Sequence, residues 1–233
     1  MRSNISIIIP TYNEERYLPR TLDSIHRLTR KPDEVIVIDS SSAKATANIA
    51  QQFGAKVIRI TGRGIGRARQ KGLEAARGDM VAFTDADTIV PARWLSIIES
   101  TLLLPAVVGT FGSYRVIDGW LPYRFCVNQI NPAIFILAAG LNIPYAVGQN
   151  LAFHRRMGLR AGGFPVGFQS VEDVEMIRRL KKMGRVVYRK DNWVSSSGRR
   201  GNEGMSMIPR KFRGLMRYAA TGRANDFSFP DFR

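Results

Sequence analysis

The sharpest chemical feature of the chain is Asp85-Ala86-Asp87. Two carboxylates at i and i+2 of an extended segment point to the same side. At that spacing they repel unless a cation lies between them, and a hard divalent ion that keeps several waters and bridges to phosphate oxygens suits such a pair. A loop in which Asp87 merely caps the next helix fits the same residues. Glu172 and Asp173 form a second acidic pair. Ser170-Val171-Glu172-Asp173 reads as a capping box opening a helix or as a carboxylate set out for proton transfer. Gly62-Arg63-Gly64-Ile65-Gly66 is a glycine cluster, with Arg67, Arg69 and Lys71 following. A dinucleotide fingerprint would need glycine where Arg67 stands, and the Gly-Lys-Ser/Thr of a P-loop is absent. What remains is a glycine loop opening a helix whose N-terminus favours an anion, or a solvated basic helix face.

These groups need a frame. Ile5–Ile9, Val35–Ile38, Lys56–Ile60 and Met80–Thr84 are short apolar runs that read as buried strands. Between them lie helical patterns over 15–29, from the Ser-rich turn at 40–42 to Phe53, and over 64–76, with a fourth beginning at Pro91. Strand–helix alternation predicts an α/β fold with a mainly parallel sheet covered by helices. Ligands of such sheets sit at the carboxyl ends of the strands. Thr11-Tyr12-Asn13-Glu14, Asp39, the glycine cluster and the acidic pair each follow a strand, so four successive strand ends carry polar or glycine-rich groups. Past residue 104 the pattern loosens. Val107–Val116 and Arg185–Arg189 read as strands and Val174–Met183 as a helix, while 118–150 reads as irregular.

The 233 residues suffice for one such domain, with 45% apolar residues. The single cysteine, Cys126, forbids an internal disulfide and fits a reducing, cytoplasmic setting. Ser3–Pro10 is too short for the core of a signal peptide. The longest apolar stretch, Pro132–Pro144, is too short to span a bilayer. Lys plus Arg number 35 against 19 Asp plus Glu, a net charge of +16. That balance favours phosphates, nucleic acid or an acidic membrane face. In the tail, Ile208, Phe212, Leu215, Met216 and Ala219 make an apolar stripe beside Arg210, Lys211, Arg213 and Arg217. This is the pattern of a basic amphipathic helix lying on an anionic membrane or packing on its own domain.

Taken in order, Ile7-Ile-Ile-Pro-Thr-Tyr-Asn-Glu14, Val35-Ile-Val-Ile-Asp-Ser40 and Gly78-Asp-Met-Val-Ala-Phe-Thr-Asp-Ala-Asp87 resemble the nucleotide-binding half of family 2 glycosyltransferases, which have the GT-A fold. The resemblance resumes at Gly148–Phe153, Ala161–Phe164 and Val171–Val174. It implies an inverting transferase that takes a sugar from a UDP- or GDP-sugar. The first half, 1–104, would hold the donor, 105–197 the acceptor and catalytic groups, and 198–233 would form a basic, membrane-facing tail. Pro10, Thr11, Tyr12 and Glu14 would line the nucleoside site, with Asp39 at the base or ribose. Many family members carry a second carboxylate where this chain has Ser40. Asp85, Ala86 and Asp87 match the DxD motif, so Mg²⁺ or Mn²⁺ would be held through Asp87 and Asp85. Asp173, beside Glu172, matches the residue proposed as general base. Read from the residues alone, Gly66, Arg67 and Lys71 would favour the diphosphate at the helix start, and Arg199 and Arg200 would reach the diphosphate or a lipid phosphate. The acceptor would be a glycan or a lipid-linked group, with the protein peripheral at the cytoplasmic membrane face and no role for nucleic acid. The rivals are a nucleotidyltransferase, which usually opens with a glycine-rich loop where this chain has Pro10-Thr11-Tyr12-Asn13, and a basic nucleic-acid-binding module. The latter leaves the acidic strand ends unexplained.

Overall fold

A computed structural model describes residues 3–168 and 171–199. The apolar runs become the middle of an eight-stranded sheet: β1 (Ile5–Thr11), β2 (Glu34–Asp39), β3 (Lys56–Arg59) and β4 (Met80–Phe83). The helices between them are α1 (Leu18–His26), α2 (Ala45–Gln52) and α3 (Ile65–Ala75). After β4 come β5 (Thr88–Ile89), α4 (Trp94–Leu102), β6 (Val107–Val116), α5 (Leu121–Gly140), β7 (Leu151–His154), α6 (Arg155–Arg160), α7 (Glu172–Leu180) and β8 (Arg185–Ser196).

The strand order is β3-β2-β1-β4-β7-β6-β8-β5. β1 pairs in parallel with β2 and β4, and β2 with β3. β7 enters antiparallel between β4 and β6, and β6 then runs parallel to β8. The central strands are apolar on both faces because both faces are covered. Ile5, Ile7 and Ile9 pack with Trp94, Leu95 and Ile98, while Ile8 and Phe83 pack with Leu73, Phe153 and Phe164 on the other side. Helix α3 lies unusually close to the sheet: a Cβ at Gly72 would collide with the Ile8 side chain. The absence of a side chain there lets α3 bring its preceding turn, which carries Arg69, to the strand ends.

Residues 118–150 are not irregular as the sequence suggested, since they contain the 20-residue helix α5. Two prolines disguise it. Pro122 sits in the first turn, where no backbone N–H is required, whereas Pro132 lies inside and costs a rung of the ladder. Its apolar residues also lack one clear face, because most point to solvent. β8 is longer than expected and curves past Arg189 to Ser196, with register shifts against β6.

The second half is tied to the first by Asn150. Its side-chain oxygen accepts the Trp94 indole N–H at 2.9 Å, and its amide donates to the carbonyls of Ser113 (2.9 Å) and Asn192 (2.6 Å). All of this is buried, and an unmet donor or acceptor there costs about 1–3 kcal/mol. Asn150→Ala is expected to lower unfolding free energy by about 3 kcal/mol in a urea titration. A loss below about 1 kcal/mol would show that water takes over these bonds.

Candidate functional site

The ends of β1 and β2 meet at one register, with Thr11 opposite Asp39. Asp39 is fully buried; one oxygen accepts the Thr11 hydroxyl (3.1 Å), the Ser41 amide (3.1 Å) and the Ser41 hydroxyl. The other oxygen has no hydrogen-bond partner and faces the Arg59 guanidinium at 3.7 Å. Ser40 turns its hydroxyl back to the Thr11 carbonyl at 3.0 Å. Next to this turn Arg63 lies over the Tyr12 ring, 4.2 Å from its centre, and donates to its hydroxyl.

The acidic loop following β4 is held by Arg69. This residue projects from the buried side of α3 and is 2% exposed. One terminal nitrogen donates to Asp85 at 2.8 Å and the other to Glu172. Room for the guanidinium is made by Gly148, where a Cβ would strike it. Glu172 and Asp173 open α7 directly after Val171, whose φ of 56° is rare for a β-branched residue. Asp173 accepts the Gly148 amide at 2.8 Å and the Val174 amide at 2.8 Å. It therefore fastens the Gly148 loop to the start of α7. Ser170 lies outside the described residues. Burial pushes the Glu172 carboxyl up to about 7, helped by the charge of Asp173. Arg69 opposes that shift without prevailing, because its single charge is shared with Asp85 and Asp173. Burial also raises Asp173, against the pull of Arg69 and its two amide bonds.

Asp87 looks the other way. Arg199 reaches it at 3.0 Å and grips Glu14 through two bonds of 3.0 and 2.8 Å. The Arg199 guanidinium also covers the Tyr17 ring at 4.6 Å. Burial disfavours its charge, but the bond to Glu14 and the charge of Asp87 outweigh that and raise its pKa. Residues 197–199 arrive here because β5 pairs antiparallel with the end of β8, Thr88 opposite Ser196. The Ser197 amide then donates to the Asp87 carbonyl at 3.2 Å. Asp118 holds the same turn by accepting from Ser197 (3.1 Å) and from the Gly198 amide.

The structure thus places Thr11, Tyr12, Glu14, Asp39, Asp85 and Asp87 at the carboxyl ends of β1, β2 and β4, with Glu172, Asp173 and Arg199 reaching the same end through Arg69, Gly148 and Asp87. Pro10 lies within β1, paired with Ile38, and Ala86 is buried beneath the loop, its carbonyl taking the Thr21 hydroxyl at 2.7 Å. Gly66 serves packing, since a Cβ there would meet the Pro165 carbonyl oxygen at 2.6 Å. Arg67 is exposed, and Lys71 faces solvent beside Glu74 at 3.9 Å. Arg200 lies outside the described residues, as does the tail from 201 to 233. Arg69 and Tyr17 were not singled out from the sequence. A signal for Arg69 existed: Gly66, Arg69 and Leu73 fall at i, i+3 and i+7, so the arginine sits on the face that must be buried.

Among the described residues, Glu14, Asp85, Asp87, Glu172 and Asp173 gather around the guanidiniums of Arg69 and Arg199. A protein of charge +16 has therefore drawn five of its 19 acidic residues to one region. The all-oxygen donor set fits a hard divalent cation. Among the described residues no three His, Cys, Asp or Glu side chains are grouped closely enough to hold one. Water or phosphate oxygens would have to complete the shell beside Asp87, because Asp85 is engaged by Arg69.

The architecture recurs in solved structures. The mannosyltransferase PcManGT from Pyrobaculum calidifontis, in complex with GDP-Man and Mn²⁺, superposes with a TM-score of 0.69 at 21% identity, over 96% of this chain and 66% of that one. Glucosyl-3-phosphoglycerate synthase from Mycobacterium tuberculosis, in complex with Mn²⁺, UDP and glucosyl-3-phosphoglycerate, gives 0.65 at 22% identity, over 98% and 81%. The fold is that of the GT-A glycosyltransferases. The sequence model described as "Glycosyl transferase family 2" matches residues 6–158, and the chain belongs to that family and is a transferase. It is 36% identical to the putative glycosyltransferase EpsH of Bacillus subtilis over 88 residues, 36% of this chain and 26% of that protein. It is 26% identical to an uncharacterized glycosyltransferase of Haemophilus influenzae over 184 residues, 76% and 61% respectively. The chain spans less than two thirds of these relatives' length.

The raised pKa of Glu172 makes stability depend on pH. The folded state holds its proton more tightly than the unfolded state, so the contribution is complete below about pH 4.5 and is lost as pH rises through about 7. Glu172→Gln is expected to flatten the fall of melting temperature between pH 5 and pH 8. Parallel profiles for wild type and variant would show that Arg69 keeps Glu172 ionised throughout.

Proposed function

We propose that this transferase moves a sugar from a UDP- or GDP-sugar to a hydroxyl or phosphate acceptor, with inversion at the anomeric carbon. The observation that carries the reading is the gathering of Glu14, Asp85 and Asp87 at the carboxyl ends of β1 and β4, around the guanidiniums of Arg69 and Arg199. A nucleoside diphosphate cannot approach such a surface unless a divalent cation comes with it. Asp87 would hold that cation, Mg²⁺ or Mn²⁺, which when bound would offset charge on the departing diphosphate. The printed ligands of two neighbours in the same fold, GDP-Man with Mn²⁺ and UDP with Mn²⁺, support this reading.

The chain's own residues have separate tasks. Tyr12, stacked with Arg63, offers a flat wall to a base, and Asp39 with Thr11 offers acceptors to the base or ribose. Arg199 can release Asp87 and turn to the diphosphate, keeping its charge buried and paired. Asp173 takes the proton of an acceptor hydroxyl; burial raises its basicity, and the two backbone amides fix its direction. A phosphate acceptor is ionised near neutral pH and needs no such base.

Two measurements test these roles. Isothermal titration of UDP and GDP with Mn²⁺ is expected to show metal-dependent affinity that Asp87→Ala abolishes, with melting temperature little changed. Unaltered affinity in the variant would remove Asp87 from the metal site. Asp173→Asn is expected to reduce turnover of a hydroxyl acceptor by about 10²–10⁴-fold, with donor affinity nearly unchanged. Both carboxylate oxygens accept amides, so the NH₂ group loses one bond and costs about 1–3 kcal/mol of stability. Full turnover together with that stability loss would assign Asp173 a purely structural role.

A further inference from the structure

We propose that the outward face of α5 is a lipid-docking surface that rests on an anionic membrane. The inward face of this helix is packed through Tyr123, Asn131, Phe135 and Ala138. Its outward face carries Leu121, Phe125, Ile130, Ile134, Ile136 and Leu137, all exposed to solvent. Exposed apolar residues continue the surface at both ends, Trp120 before the helix and Leu141 and Ile143 after it. Contiguous patches of this kind mark interaction sites rather than ordinary surface.

Three observations select lipid as the occupant. Gln129 is the one exposed polar residue on the helix, while Arg124 and Asn128 are half-buried and turned back to the backbone of Ile117 and Val116. A protein partner needs polar or charged groups to fix its register and exclude competitors, whereas a hydrocarbon boundary needs none. Charge supplies the second observation. No Asp or Glu occurs between Gly119 and Val171. Lys181 is fastened to the carbonyl and side chain of Asn142 at the far end of the helix (3.0 and 2.9 Å), with Lys182, Met183 and Arg185 exposed beside it in the chain. An apolar helix face with lysine and arginine at its far end and no carboxylate from Gly119 to Val171 complements anionic headgroups. The third is length and position. Among the described residues no helix is long and apolar enough to cross a membrane, so α5 would lie in the plane of the surface. It starts three residues after Asp118, whose carboxylate holds Ser197 and Gly198 next to Arg199 and Asp87. A headgroup-bearing acceptor in that surface would present its polar end at the crevice. This placement rests on the proposed transfer reaction, but lipid binding itself does not.

The test is co-sedimentation of the full chain with vesicles of phosphatidylcholine alone and of phosphatidylcholine with phosphatidylglycerol. The variant is Phe125→Gln with Leu137→Gln, at positions 69% and 63% exposed, where substitution leaves the core intact. The wild type is expected to prefer the anionic vesicles, and the variant to partition at least about tenfold less well. Both retain residues 200–233, so any contribution of that segment cancels. Melting temperature and the UDP and GDP titrations are expected to be the same for both proteins. A failure of those titrations in the wild type would count against the donor reading alone. Equal vesicle binding by the two proteins would overturn the proposal. So would a wild-type dimer in light scattering that the substitutions dissociate, or a lowered melting temperature without loss of vesicle binding. Those last two outcomes would assign the face to a second copy or to this chain's own remaining segment.

Discussion

A single buried guanidinium determines how the site is arranged. Arg69 brings together a strand end, the Gly148 loop and the start of α7, through Asp85 and Glu172. Taking an arginine out of water is costly, and only close pairing with carboxylates makes it tolerable. The converse also holds: the carboxylates can be buried because Arg69 is there. Loss of the arginine would leave three acidic groups sharing a dry space, a change usually costing about 3–5 kcal/mol. The near contact of α3 with β1 at Gly72 and the open space at Gly148 serve this one placement.

Seen from the charge, the crevice has two compartments. Around Arg69 the acidic excess is met by raising carboxyl pKa values, so protons supply the missing positive charge. Around Asp87 the positive charge is Arg199, delivered by the end of β8 and resting on Tyr17. That guanidinium is paired with Glu14 and Asp87 at once. The two aspartates of Asp85-Ala86-Asp87 are thus held by different arginines, Asp85 by Arg69 and Asp87 by Arg199.

The donor half was legible because its signals are local. Ile5–Ile9 and Val35–Ile38 are apolar on both faces, their ends are marked by Pro10 and Asp39, and the polar groups follow the strands in register. The fold and family followed from that order. Legibility failed where tertiary contacts override local pattern. α5 hides behind Pro132 and a solvent-facing apolar surface that no soluble helix template anticipates. Arg69 reads as one more cation in a basic run, although its partner Glu172 is 103 residues away. Gly66 reads as part of a phosphate loop, yet its reason is the Pro165 backbone, which no local window contains. The roles of Asp173 in capping and in chemistry cannot be separated by type and spacing, since one carboxylate accepts two amides and still has lone pairs for a proton.

The pairing of β5 with β8 bears on the order in which the chain folds. Thr88 meets Ser196 only after the whole of the intervening chain has been threaded through β6, α5, β7 and α7. The parallel core of β1, β2 and β4 needs much shorter loop closures and can form early. The acidic loop is therefore finished late, when the last described strand clasps it and brings its counter-ion. Until then β4 has a bare edge where β7 will insert, and a ribosome that has released only the first hundred residues holds a sheet with an open side. Binding competence would thus arrive as a property of the completed chain, although most of the residues that confer it are synthesised first.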